Sequence, residues 1–233
     1  MRRALAFALA FGVAAAPAAA AGAPRVHQLV VFRDGSAKQK TVRAARVSVK
    51  VQGRRCAIGA GLPLGALVAS HVARLGLHDY GSCSRRPRDA GGLFVKSIGP
   101  DVNRGQDGWV YKVGLKTATG GAAEPSGPFG RGRLKSGTNV VWFYCHMRGS
   151  GCQRTLAFTK VKPSAGGITV SVRAFNDRGR GVAAAGVTVH LDSRTATTDA
   201  GGTARLAAGR GRHTLFADGG AFVRTFSRRV VVP

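Results

Sequence analysis

Acidic side chains are what this sequence has least of. Ten aspartates and glutamates stand against 36 lysines and arginines, a formal net charge of +26 over 233 residues. Glu124 is the single glutamate. Glycoside hydrolysis needs two carboxylates facing one cleft. The aspartates here stand instead in turn contexts such as Asp34-Gly35 and Asp199-Ala200-Gly201, where a short carboxylate bonds its own backbone. The sequence also lacks a Gly-x-Ser-x-Gly elbow, a His-Glu-x-x-His pair, a Gly-x-x-x-x-Gly-Lys-Ser/Thr loop and a Gly-x-Gly-x-x-Gly run opening a helix after a strand. None of its six histidines is spaced four residues from another. No catalytic residue, resident metal or cofactor is therefore expected, and an uncharacterised hydrolase is the weakest of the functional readings.

Long apolar runs are missing too, except at the start. Met1-Arg2-Arg3, the apolar stretch Ala4 to Val13 and the small residues Ala14 to Ala23 with Pro17 have the layout of a secretory signal peptide over 1–23, cleaved between Ala20 and Ala23. The run is too short for an uncleaved span, and no later segment approaches transmembrane length. A secreted, extracellular chain, associated with the cell envelope through its charge, is the expected address. Export puts the four cysteines in an oxidising compartment. Cys145 and Cys152 flank a Gly-rich turn and are expected to pair, leaving Cys56 to Cys83. The latter loop would add roughly 3 kcal/mol through loop-closure entropy. A metal site from Cys145, His146 and Cys152 would lack a second Cys-x-x-Cys.

What is present is strand pattern. Gly108-Trp109-Val110-Tyr111-Lys112-Val113-Gly114 and Thr138-Asn139-Val140-Val141-Trp142-Phe143-Tyr144-Cys145 hold both tryptophans and two of the three tyrosines. Both read as strands at the centre of a β-rich core. Val47, Val49 and Val51 alternate with polar residues as a further strand, and Leu93 to Ile98 is another. Leu64, Leu67, Val68 and Leu75 recur at helical spacing, with Pro63 suited to a first turn and Gly76 to a stop. Pro24 to Ala44 is read as an N-terminal arm or extra strand. Leu115 to Leu134 is a Gly/Ala/Pro/Ser-rich loop, a place for ligand contacts, with Phe129 in it and Trp109, Tyr111 and Trp142 as the platform beneath. The fold class expected is mainly β: a β-grasp-like unit with one helix over 45–161, a linker at 162–167, and a small β-sandwich over 168–233.

The order Val47 to Val51, the Leu64 to Leu75 helix, Gly108-Trp109-x-Tyr111-x-Val113 and Val140-Val141-Trp142-x-Tyr144 resembles the transcobalamin-like C-terminal domain family, a β-grasp-like unit of many exported bacterial proteins. The likeness covers about residues 45 to 146. Gly114 stands where the family run often continues with asparagine, and the cysteines are additional. Animal relatives use the domain to cover a corrinoid, but nothing in Leu115 to Leu134 resembles a dedicated corrinoid contact. Gly186-Val187-x-Val189 with Thr198-Asp199-Ala200-Gly201-Gly202-x-Ala204 resembles bacterial Ig-like and carboxypeptidase-regulatory-like domains, which implies a spacer or binding module.

The basic clusters, Arg54-Arg55, Arg85-Arg86 with Arg88, Arg131 with Arg133, Arg178 with Arg180, Arg210 with Arg212 and Arg228-Arg229, are spread over both units. They lack the interleaved aromatics of single-strand binders, and clusters so diffuse would meet nucleic acid or anionic wall polymer in a salt-sensitive, sequence-blind way. They point to an anionic polymer or envelope component met by a diffuse positive surface. The reading is thus an extracellular binding or adhesion module, with a small-ligand carrier (cofactor or peptide) as the alternative. The sequence names neither a ligand nor an oligomeric state.

Overall fold

A computed structural model describes residues 22–149 and 151–233. The signal peptide read over 1–23 lies, but for Gly22 and Ala23, outside the described residues. The fold is mainly β, with one helix among the described residues.

The first unit opens with β1 (Arg25–Val31) and β2 (Ala37–Arg43), an antiparallel hairpin. Its turn is set by Gly35 at φ 83° and by Asp34, whose carboxylate accepts from the Ser36 N–H and is held below its usual pKa by that serine. β3 (Val47–Val51) and β4 (Arg54–Ile58) form a second hairpin. Gln52 and Gly53 both have positive φ in its two-residue turn, the geometry that matches strand twist. Helix α1 (Pro63–Ser70) follows, then a small sheet of β5 (Leu75–Asp79), β6 (Leu93–Ile98) and β7 (Asp101–Val102). β8 (Gly108–Val113), β9 (Lys116–Thr117) and β10 (Asn139–Cys145) complete the main sheet in the order β2-β1-β10-β8-β9. β1 runs parallel to β10 and the other pairs are antiparallel. α1 packs over one face of this mixed sheet.

Alternation sorts the main sheet into two buried faces. Val26, Val30, Trp109, Tyr111, Val140, Trp142 and Tyr144 face a core shared with α1 and the smaller sheets. Leu29, Val31, Val141, Phe143 and Cys145 face the other way, against Val223 and Phe226 of the second unit. A strand covered on both sides reads as a near-continuous apolar run, which is what Val140 to Cys145 is.

Three boundaries differ from expectation. Of the two readings of 24–44, arm or extra strand, the strand is the one seen, and the first unit takes in Arg25 onward rather than starting at 45, because β1 is an interior strand between β2 and β10. The helix stops at Ser70 because His71 turns left-handed (φ 48°) and returns its N–H to the Val68 carbonyl. Leu75 and Gly76 consequently lie in β5. The helix start is satisfied from outside, since the Leu64 N–H donates to Ala122 O (2.9 Å). The expected linker 162–167 is the closed end of a hairpin: β11 (Thr155–Ser164) pairs with β12 (Gly167–Phe175) down to Ser164 opposite Gly167.

The second unit continues with β13 (Gly181–Ala183), β14 (Thr188–Leu191), β15 (Arg194–Thr197), β16 (Thr203–Ala207), β17 (Gly211–Asp218) and β18 (Arg228–Val232). One sheet holds β11, β12, β13 and β16; the other runs β15-β14-β17-β18. Ile168, Val170, Val172, Val189, Leu191, Leu206 and Leu215 fill the space between them as a sandwich. Both expected disulfides are present, Cys56–Cys83 and Cys145–Cys152, with Cα separations of 5.3 and 5.2 Å. They fit an oxidising compartment. Among the described residues no helix is long and apolar enough to cross a membrane.

Candidate functional site

The loop and platform singled out from the sequence do come together. β9 pairs with β8 at Lys112 and Val113, and β7 pairs with β6 at Ser97 and Ile98. The remaining lengths of β6 and β8 run edge by edge, with no ladder between them among the described residues. Asn103 joins them: its Nδ2 donates to Val95 O (2.9 Å) and its Oδ1 accepts from the Trp109 N–H (2.8 Å). Gly108 allows this approach, since a Cβ there would lie 2.7 Å from Asn103 Cγ. Beyond Asn103 the edges part around a cleft of about 210 Å³, lined by Leu93 to Val95, Trp109 to Tyr111, Thr117, Ala118, Gly120 to Ala122 and Trp142.

The loop is a packed wall rather than a free excursion. Ala122, Ala123 and Leu134 are buried, and the Leu134 N–H donates to Gly61 O (2.8 Å). The Tyr111 hydroxyl donates to Gly120 O (2.7 Å). Burial, with Glu124 nearby, pushes that phenol's pKa up, so it stays a neutral donor. Trp109 Nε1 donates to Asp101 O and Tyr144 Oη to Val102 O, tying the platform to β7. Trp142 stacks on Tyr111 with centroids 4.9 Å apart. Phe129 is half-buried and is not among the residues lining the cleft.

The sequence reading passed over two residues beside the cleft, Phe94 in its lining and Tyr80 against Phe94. Tyr80 is 75% exposed and Phe94 42%; their rings meet at 5.8 Å, and the His78 ring lies tilted against Tyr80 at 4.3 Å. Exposed aromatics beside an apolar slot form a surface for an apolar or aromatic group. The volume suits one such group and is below that of ordinary cofactor pockets, roughly 300 Å³ and upward. A corrinoid macrocycle does not fit it.

The carboxylates are otherwise occupied. Each of the ten accepts at least one hydrogen bond within the chain. Asp34 and Asp199 are turn caps, as the sequence implies. Asp79, buried, takes the Gly81 and Cys83 N–H groups and pairs with Arg54 at 3.2 Å. Asp107, Asp218 and Asp192 meet His146, His190 and His213 at 3.2, 2.8 and 2.7 Å. The bond to Asp192, then the bond to Gly209 O, raises the His213 pKa. Cys145 and Cys152 are bonded to each other, so neither is a thiolate ligand beside His146.

The least foreseen residue is Lys112, fully buried between the units. Its ammonium donates to Phe175 O (3.1 Å) and Thr155 Oγ1 (3.3 Å) and lies 3.5 Å from Asp177. Burial lowers its pKa, and Asp177 partly offsets this. In β8, Lys112 alternates out of phase with Trp109 and Tyr111, so the sequence presents it as a solvent-facing residue. Gln39 and Ser227 exchange two hydrogen bonds across the same junction, beside a groove of about 670 Å³ that includes His27, Thr41, Asn139, Phe158 and Arg228.

Comparison with protein-family models, with curated proteins and with solved structures finds no match for the chain.

Proposed function

We propose that this chain is an exported, non-enzymatic binding protein, held on anionic material of the cell envelope by its charge. The observation that carries the reading is uncompensated cation. Against 36 lysines and arginines, the ion pairs that join one of them to a carboxylate among the described residues are Arg54–Asp79, Arg88–Asp89 and Lys112–Asp177. The other paired aspartates are matched to histidines. The remaining cations set up a positive field that attracts polyanions and is screened by salt, with a Debye length of about 10 Å at 0.1 M. The likeness of the two units to a transcobalamin-like C-terminal domain, a unit of many exported proteins, and to Ig-like or carboxypeptidase-regulatory-like domains, which serve as spacers or binding modules, belongs to the same proposal. The test is retention on an immobilised anionic polymer at about 50 mM salt, with release expected by a few hundred millimolar, as for counterion-release binding. Free passage at low salt sinks the reading.

A second reading is favoured by the cleft between β6 and β8 and the exposed Tyr80–Phe94 pair: the first unit carries an apolar or aromatic group of a small ligand or peptide. A saturable change in tryptophan fluorescence on adding hydrophobic or aromatic ligands is expected, because Trp109 and Trp142 line the cleft. An emission spectrum that stays constant across such a panel removes this reading.

A further inference from the structure

The arginines are not spread evenly, and four from three separate segments open into one pocket. Arg148 lies in the turn closed by the Cys145–Cys152 disulfide, Arg154 immediately precedes β11, and Arg178 and Arg180 come from the turn between β12 and β13. Together with Gly151, Cys152, Asn176 and Asp177 they line a polar hollow of about 470 Å³ at the junction of the two units. We propose that this hollow is a binding site for tetrahedral oxyanions, phosphate either free or as the repeating group of a polymer. The inference rests on the polyanion-binding reading above and gives it a specific place.

Charge is the first argument. The one carboxylate lining the hollow among the described residues is Asp177, and it is already committed. Its oxygens accept from Thr117 Oγ1 (2.8 Å) and the Cys152 N–H (3.3 Å) and face Lys112 Nζ at 3.5 Å. The buried ammonium thus balances Asp177, and no ion pair joins any of the four guanidinium groups to a carboxylate among the described residues. Four like charges gathered in one hollow repel one another, and an anion placed among them relieves that repulsion.

Pre-organisation is the second. Asn176 Oδ1 accepts from the N–H groups of Arg178 (3.1 Å) and Arg180 (2.9 Å), while the Asn176 N–H donates to Arg180 O (3.0 Å). Gly179 takes φ 75° and passes so close to Lys116 that a Cβ would lie 2.8 Å from Lys116 Cγ. The turn that presents two of the arginines is therefore fixed in shape and packed against the first unit. Arg154 is half-buried, and its Nη1 is within 3.4 Å of both Ala174 O and Arg180 O, which leaves the rest of its fork available.

Ligand chemistry follows from the donors. Guanidinium forks present paired N–H groups that match phosphate oxygens two at a time, and four forks offer more donors than one carboxylate can accept. No aromatic ring lines the hollow among the described residues, so nothing there would stack on a base. The hollow is roomier than a single phosphate group, which suits consecutive phosphates on a flexible chain.

The test uses the exported chain, inorganic polyphosphate and inorganic phosphate as probes, and calorimetry at constant ionic strength. Arg178 and Arg180 engage the chain through main-chain atoms, so R178Q/R180Q should leave the fold and its melting curve unchanged. This variant is expected to weaken polyphosphate binding at least tenfold. R210Q/R212Q removes the same charge from exposed positions elsewhere and should weaken it less than threefold. R178K/R180K, which keeps the charge and loses the forks, should still be at least threefold weaker than the parent. Equal losses in the two glutamine variants would overturn the site and leave the diffuse-charge reading standing; no polyphosphate binding by the parent at low salt would overturn both. Saturable binding of inorganic phosphate alone identifies the free ion as a sufficient ligand. Binding confined to polyphosphate identifies the polymer as the source.

Discussion

Replacing Lys112 by alanine is expected to cost about 3 kcal/mol of stability, read as a lower urea midpoint by tryptophan fluorescence. Removing one partner of a buried ion pair costs about 3–5 kcal/mol, because the group left behind is desolvated and unpaired. Here the side chain of Asp177 keeps about a third of its surface, 34%, exposed, which places the effect at the low end. Phe175 O and Thr155 Oγ1 lose their donor too, and the Phe143 ring loses the ammonium 5.8 Å from its centre. Lys112→Met keeps most of the methylene packing and should lose less than the alanine variant. The pH dependence has a definite sign. A lysine whose folded pKa is lowered by burial binds its proton less well in the folded state, so its contribution to stability rises with pH through the window between the folded value and 10.5. A loss under about 1 kcal/mol in Lys112→Ala would mean that water reaches the junction and screens the pair.

Trp142→Ala should cost more, about 3–5 kcal/mol, the range for deleting a buried aromatic side chain. For a chain of this size that is a fall in melting temperature on the order of 10 °C. Trp142 is 2% exposed and supports both the Tyr111 ring and the floor of the cleft, so the substitution opens a cavity in the centre of the first core. Trp142→Phe separates size from polarity. The indole Nε1 is buried and finds no acceptor among the described residues, and removing an unsatisfied donor relieves part of its desolvation cost. The phenylalanine variant should therefore lose less than half of what the alanine variant loses. Equal losses in the two would show that the indole itself, and not apolar ring bulk, holds the site.

Much of the scaffold was legible in the residues. The two tryptophan runs carry alternation and bulk that strands require, and they lie side by side as β8 and β10, with Trp142 opposite Tyr111. The turn aspartates were legible because an Asx turn is a local event. What was hidden depended on partners distant in sequence. β1 reads equally as an arm or an extra strand until its parallel partner is known, since Leu29 and Val31 need the second unit's Val223 to be buried. The helical periodicity through Leu75 is genuine as apolar pattern, but after His71 those residues reach the core from a strand. The Pro163 to Gly167 composition serves a hairpin end as readily as a linker. Lys112 is not recognisable as buried from its alternation, because the cover on that side comes from Thr155 and Phe175 of the second unit. The arginine hollow was hidden for the same reason: Arg148 and Arg154 meet Arg178 and Arg180 only when two turns close on each other.

The parallel pairing of β1 with β10 also bears on how the molecule is made. Arg25 N–H donates to Ser136 Oγ across 111 residues of sequence, and the whole β1–β10 register is equally remote. Contacts of such separation form late and slowly. A chain emerging amino-terminus first holds an apolar β1 with no partner on one edge until β10 has followed. The first unit is therefore obliged to stay open through most of its own synthesis, which leaves it dependent on protection from aggregation in the meantime.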